Sequence, residues 1–284
     1  ATGGGLGIST DGGATFTTRT VANSGLGSNV MRGVYADGAT VYAATIGGLG
    51  ISTDGGATFT NRTTTSGLGD NDVTGVYADG ATVYAATNGG GVGISTNGGN
   101  TFTNRTVANS GLGDDFVYGV YADGATVYAA TAGGLGISTD GGATFTTRTT
   151  ANGLGSNFVF GVYAIGNTVY AATNGGGLGI STDGGATFTT YTTANSGLGS
   201  NTVRAVYADG ATVYAATFGG GVGLGVPDSS GGVGGTGGAG GRGGDGGAGG
   251  VGGAGTGGGG TGAVGVDAAG GVGGDAGAGG TGGA

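Results

Sequence analysis

Apolar and polar residues alternate along most of this chain with the period of two that puts successive side chains on opposite faces of a strand. The clearest unit begins at Val30. Residues 30–36 alternate, Asp37-Gly38 is a hairpin signal, and residues 39–45 alternate again around Val41 and Tyr42. Gly47-Gly48 turns the chain into a third strand at 49–53, and Asp54-Gly55-Gly56 turns it into a fourth at 57–62. A polar loop over 63–71 then leads to the next Val-Tyr-Ala-Asp-Gly. No stretch carries helical periodicity.

The unit repeats. Ser9-Thr10-Asp11-Gly12-Gly13-Ala14-Thr15-Phe16 returns with Ser52, Ser95, Ser138 and Ser181 as its first residue, a step of 43 residues each time. Four short antiparallel strands per period of about 40–45 residues predict an all-β fold, the β-propeller. Complete units cover 30–63, 72–106, 116–149 and 158–192. A first and second strand remain at 202–217, and a third and fourth at 6–20. These halves predict a five-bladed ring of four-stranded antiparallel blades, the last shared between the termini, with an open superhelical array as the alternative. A shared blade would hide sheet edges.

Gly33, Gly75, Gly119, Gly161 and Ala205 occupy one position of the first strands, where strands crowding a narrow axis need small residues. Val34, Val76, Val120, Val162 and Val206 alternate with them and are candidates for the core between blades. The tyrosines at 35, 77, 121, 163 and 207 and at 42, 84, 128, 170 and 214 supply large apolar area. Phe16, Phe59, Phe102, Phe145 and Phe188 do the same in the fourth strands.

Glycine distribution sets the domains. Residues 1–222 form the repeat region, 223–230 a linker, and 231–284 a tail read in Gly-Gly-X triplets. Period three matches the three residues per turn of a polyproline-II-type helix, with a flexible glycine-rich linker as the competing reading. In the helical reading, residues 231–254 would span roughly 75 Å at about 3.1 Å per residue. Arg242 and Asp245, one turn apart, are candidates for pairing across packed helices.

Composition removes most catalytic chemistry. Of 284 residues, 84 are Gly; all seven basic residues are Arg and all sixteen acidic ones are Asp, with no Glu, Lys, His or Cys. General acid–base and thiol or amine nucleophilic catalysis lose their usual groups, so no enzyme and no cofactor are expected. Only oxygen donors are left for a metal. Asp114-Asp115 is a candidate fragment of a calcium site, set against the plainer reading of solvated loop charge. A net charge of −9 argues against nucleic acid, and no apolar run of about 18 residues predicts a membrane span. Neither end carries a targeting signal, which is compatible with a leader removed earlier. Asn61-Arg62-Thr63 and Asn104-Arg105-Thr106 are N-glycosylation sequons, meaningful on a secretory route.

In the octets, Ser9 and Asp11, Ser52 and Asp54, Ser95 and Asn97, Ser138 and Asp140, and Ser181 and Asp183 are expected to hold a turn. Their short oxygens can accept backbone N–H groups while the paired glycines take positive φ. Ser-x-Asp-x-Gly-x-Thr-Phe resembles the Asp-box, or BNR, repeat, with Asn97 as its one exception and Phe where Trp is common. That resemblance implies a propeller with the box between third and fourth strands. Residues 197–210 are also similar to propeller repeats of bacterial sensor proteins. Asp-box sialidases use an arginine triad and a tyrosine–glutamate pair; this chain has no glutamate, and Arg19, Arg62, Arg105 and Arg148 recur at one repeat position, scattered around the ring. The tail resembles polyglycine-II proteins, among them glycine-rich antifreeze proteins and phage tail adhesins.

These readings combine into a non-catalytic structural protein, extracellular or at the cell surface. It would be a subunit of a fibre or surface assembly, polymerising or anchoring through its tail, with itself as partner. The alternative is a lectin-like adhesin, resembling five-bladed tachylectin-type lectins in architecture. It would bind glycans through inter-blade loops carrying Asn23 and Ser24, Asp70 and Asp72, Asp114 and Asp115, and Asn195 and Ser196.

Overall fold

The computed structural model describes residues 3–210, 212–227 and 233–234. The chain divides into two units, 1–234 and 235–284. Apart from residues 233–234, the glycine-rich tail, with Arg242 and Asp245, lies outside the described residues.

Five four-stranded antiparallel sheets follow one another, each a simple meander. The first sheet is Met31–Asp37, Thr40–Thr45, Gly48–Ser52 and Thr60–Arg62. The second is Val73–Asp79, Thr82–Thr87, Val92–Ser95 and Thr103–Arg105. The third is Val117–Asp123, Thr126–Thr131, Gly134–Ser138 and Thr146–Arg148. The fourth is Val159–Ile165, Thr168–Thr173, Leu178–Ser181 and Thr189–Tyr191. The fifth is Val203–Asp209, Thr212–Thr217, Gly221–Pro227 and Val233–Gly234. These are propeller blades. The register recurs: Tyr35 opposes Tyr42 and Tyr42 opposes Ile51, as Tyr77 opposes Tyr84 and Tyr84 opposes Ile94. The tight turn in the first sheet is Gly38-Ala39, since Asp37 still pairs with Thr40, and Gly38 takes φ 56°. A positive-φ glycine in the first central position is the type II′ pattern.

The core lies between blades. Tyr42, Ala44, Leu49 and Ile51 of the first sheet pack on Val73, Ala78, Val83, Ala85 and Phe102 of the second. The same pairing recurs at each of the next three junctions. Leu49, Leu135, Val83 and Val127 are fully buried, and each such side chain contributes about 1.5–3 kcal/mol of transfer free energy. Near the axis the first strands touch. A Cβ on Gly75 would sit 3.4 Å from the Gly119 Cα, so only small residues fit the series. Beside that ladder, Tyr35, Tyr77, Tyr121, Tyr163 and Tyr207 contact in succession, with ring centroids 4.9–5.2 Å apart.

The join differs from the expected one. The termini do not share a blade: Leu6–Ile8 pairs with Thr17–Arg19 as a separate two-stranded sheet, whereas Thr212–Thr217 pairs with Gly221–Pro227. Alternating Val222-Gly223-Leu224 follows the second strand after a short glycine turn. Closing that local hairpin costs far less chain entropy than recruiting residues 6–8 from the opposite end. Residues 223–227, expected in a linker, are therefore strand. The N-terminal hairpin packs Leu6 against the first sheet at Leu26, Met31 and Phe59. At the two ends of the series, residues that are covered elsewhere are open: Val34 is 57% exposed, and Tyr207, Tyr214 and Leu224 are exposed on the fifth sheet.

Candidate functional site

The repeated octets form closed hydrogen-bonded turns, four of them between the third and fourth strands of a blade and the first, at 9–16, between Leu6–Ile8 and Thr17–Arg19. In the third sheet, Ser138 Oγ donates to Asp140 Oδ1 at 2.6 Å and accepts from the Gly142 N–H at 2.8 Å. Asp140 then accepts from Thr144 through both its N–H and its hydroxyl. The turns at Ser9 and Asp11, Ser52 and Asp54, and Ser181 and Asp183 repeat this pattern. With Ser95 and Asn97, the amide oxygen takes the carboxylate's place and its nitrogen donates to Thr101. The serine hydroxyl, followed by the threonine groups, holds the Asp11, Asp54 and Asp183 carboxyls far below the ordinary carboxylate range; Asp140 behaves alike. A carboxylate so committed stays ionised and is a poor proton carrier near neutral pH.

Three of the four recurring arginines are inter-blade clamps, whereas the buried Arg19 Nε meets no hydrogen-bond partner among the described residues. Arg62 Nε donates to the Gly99 carbonyl at 2.9 Å, Arg105 Nε to Gly142 at 3.2 Å, and Arg148 Nε to Gly185 at 2.8 Å. Each ties its own fourth strand to the box turn of the following blade. In the fourth sheet Tyr191 stands at the arginine position, and the sequence after it has no further Ser-x-Asp octet. Sequence reasoning saw the scatter of these arginines without their partners.

The inter-blade loops wind into single helical turns, at Val21–Ser24, Thr64–Ser66, Val107–Ser110 and Thr150–Asn152. In three of them the signal is Thr-x-x-Asn, a capping-box variant in which asparagine serves in place of glutamate; the turn at Thr64–Ser66 has serine there and is capped by Thr63 Oγ1, which accepts from the Thr65 N–H. Asn23 Oδ1 accepts from Thr20 N–H at 2.8 Å and Asn195 Oδ1 from Thr192 N–H at 2.6 Å. Ser24 and Ser196 donate to the Thr20 and Thr192 carbonyls. Asp115 accepts from Val107 N–H, and Asp114 and Asp70 accept from backbone N–H groups two residues on. Among the described residues no cluster of three or more His, Cys, Asp or Glu could hold a metal. Both sequon asparagines, Asn61 and Asn104, donate their side-chain nitrogens to the Gly47 and Gly67 carbonyls.

The expected partners are corrected accordingly. The loop groups expected to meet glycans are engaged as caps or turn acceptors, and Asp72 pairs with Arg32, which removes the basis for glycan binding there. Self-association through the tail has no support among the described residues. No helix among them is long and apolar enough to cross a membrane.

One set of positions breaks the uniformity of the repeat. Immediately before each first strand stand Val30, Asp72, Phe116, Phe158 and Thr202. Two residues on stand Arg32, Thr74, Tyr118, Phe160 and Arg204. Just after each second strand stand Ile46, Asn88, Ala132, Asn174 and Phe218. The fold gathers these three columns on one rim: in every blade the N–H of the third column donates to the carbonyl of the first, as Ile46 does to Val30 and Phe218 to Thr202. Neighbouring blades are joined there by side chains. Arg32 forms a two-pronged ion pair with Asp72, at 2.8 and 3.1 Å. Tyr118 stacks on Phe158 at 4.8 Å, and Phe158 meets Phe160 at 4.9 Å. The Arg204 guanidinium lies 4.2 Å from the Phe160 ring centre and 5.1 Å from that of Phe218. Phe116 is 47% and Phe218 66% exposed.

No protein-family model matches the chain, and no curated protein matches it. Solved structures do. The extracellular domain of BT3049 from B. thetaiotaomicron is similar over 78% of this chain and 30% of that one, at 18% identity and TM-score 0.62. The chain thus spans under a third of that relative's length. YCF48 from Cyanidioschyzon merolae matches over 70% of this chain and 67% of its own, at 16% identity and TM-score 0.51. The Niastella koreensis GH74 enzyme matches over 78% and 33%, at 26% identity and TM-score 0.51. The shared feature is the β-propeller fold.

Proposed function

We propose that this chain is a non-catalytic structural propeller of the Asp-box type, extracellular or at the cell surface and anchored there through its glycine-rich tail. The observation that carries the reading is the commitment of the repeated polar groups. Box serines and aspartates close turns, recurrent arginines clamp the next blade, and loop asparagines cap helical turns. No His, Glu, Lys or Cys exists elsewhere in the chain to supply acid–base or nucleophilic chemistry. Fold alone does not decide activity, since the GH74 enzyme and the BT3049 extracellular domain share it. The extracellular placement draws on the latter.

The test is fractionation of cells secreting either the full chain or a version ending at Gly234. Anchoring predicts that the full chain sediments with the envelope and that the shortened one appears in the medium. Equal release of both would remove the anchoring role. Turnover of glycoside substrates by the purified full chain would overturn the non-catalytic reading.

A further inference from the structure

Near-identical repeats provide their own control for what the fold requires. Four or five blades solve the same packing problem, so a position free to change between them is not fixed by the frame. Most columns barely change: the box serine, the clamp arginine, the axial glycine and the core tyrosines recur blade after blade. The three rim columns change in chemical class, from cation to hydroxyl to aromatic, and they change together in space.

We propose that this rim is a docking surface for an extended peptide segment of another protein, one presenting a carboxylate beside an aromatic or branched apolar side chain. Three features select that chemistry. First, Arg204 has no carboxylate partner among the described residues; Phe160 and Phe218 hold its guanidinium by their ring faces. A guanidinium so held is pre-oriented, and its N–H edges suit two-pronged binding of a carboxylate. Second, the neighbouring aromatics do not form a flat table. Tyr118 and Phe160 meet at 70° and Phe158 and Phe160 at 60°, so the patch offers ring edges as well as faces to an apolar side chain. Third, charge differs around the rim. Where Arg32 is neutralised by Asp72, no cation is left over, so the acidic group of the partner is drawn to the Arg204 side. The chain's net charge of −9 disfavours a polyanion in place of a peptide with one or two carboxylates. The reading is independent of how the chain is anchored.

The experiment is selection of a displayed library of random twelve-residue peptides on the immobilised full chain, followed by fluorescence-anisotropy titration of the enriched sequences. Enrichment of Asp or Glu next to Phe, Tyr, Leu or Ile is expected. Arg204→Glu should weaken those peptides by at least about tenfold, the scale of a lost charge-assisted hydrogen bond. The same change should strengthen counterparts in which Lys replaces the acid. Phe160→Ala should weaken both. Asp37→Asn, at the opposite end of a first strand, should change neither and serves as the folded control, with circular dichroism confirming each variant. No enrichment, enrichment without acidic residues, or binding indifferent to Arg204→Glu in a folded variant would each overturn the proposal.

Discussion

Ser138→Ala isolates what the repeated box contributes. Ser138 is 1% exposed, and its hydroxyl is the acceptor for the buried Gly142 N–H at 2.8 Å and the donor to Asp140 Oδ1 at 2.6 Å. Alanine keeps the backbone and leaves the Gly142 donor without a partner away from water. Leaving a buried donor unpaired costs about 1–3 kcal/mol. For a unit of this size each kcal/mol moves Tm by about 2–4 °C, so a fall of about 2–12 °C is expected. The assay is thermal and denaturant unfolding followed by circular dichroism, with exposed Thr139→Ala as control, expected within about 0.5 kcal/mol of the parent. If Ser138→Ala matched Thr139→Ala, the hydroxyl would not be what holds the turn, and the structural reading of all five boxes would fail with it.

Other substitutions follow from the same frame. Arg148→Ala removes a charged donor to the Gly185 carbonyl and should cost about 1.5–3 kcal/mol by urea titration; a loss within about 0.5 kcal/mol of the parent, the range of ordinary surface changes, would refute the clamp. Gly119→Ala should be close to neutral, because its Cβ would meet the Phe160 carbonyl at 3.4 Å, at the edge of ordinary van der Waals contact, whereas Gly119→Val should lose about 1–3 kcal/mol by crowding the Phe160 carbonyl and Gly161. Burial, and after it repulsion from the ionised Tyr163 hydroxyl, pushes the Tyr121 hydroxyl up to about 12. A phenol with a raised folded pKa binds its proton more tightly in the native state. Its stabilising contribution is therefore complete below the ordinary value near 10, and declines as pH rises from there through about 12. Absorbance at alkaline pH should show a subset of tyrosines ionising late, together with unfolding; ionisation of all of them near pH 10 with the fold retained would contradict this.

Much of the blade was legible because a strict period multiplies a weak signal. One Val-Tyr-Ala-Asp-Gly is ambiguous, but four copies and a fifth with Ile165 for the aspartate, at near-constant spacing, place the strands, and the octets locate the turn between third and fourth strands. What escaped was of three kinds. The helical turns of the loops are three or four residues long, too short for a periodic pattern, and Thr-x-x-Asn announces only three of the four. The pairing of Thr212–Thr217 with Gly221–Pro227 was hidden because residues 221–227 lack the octet that marked every other third strand; their alternating Val222, Leu224 and Val226 were the usable sign. Inter-blade partners such as Arg62 with Gly99 are 37 residues apart and depend on blade packing that no local pattern encodes. The rim columns were in plain view, yet attention to what recurs passes over positions defined by what varies.

The molecule divides into a repeated frame and one variable rim, and an amide NMR map is the sharpest check of that division. The labelled full chain would be titrated with the tightest acidic peptide from the selection. The account predicts shift changes grouped at Tyr118, Phe160, Arg204 and Phe218, with the box turns at Asp54 and Asp140 unmoved. Changes centred on the box turns or the capped loops, with the rim silent, would contradict it.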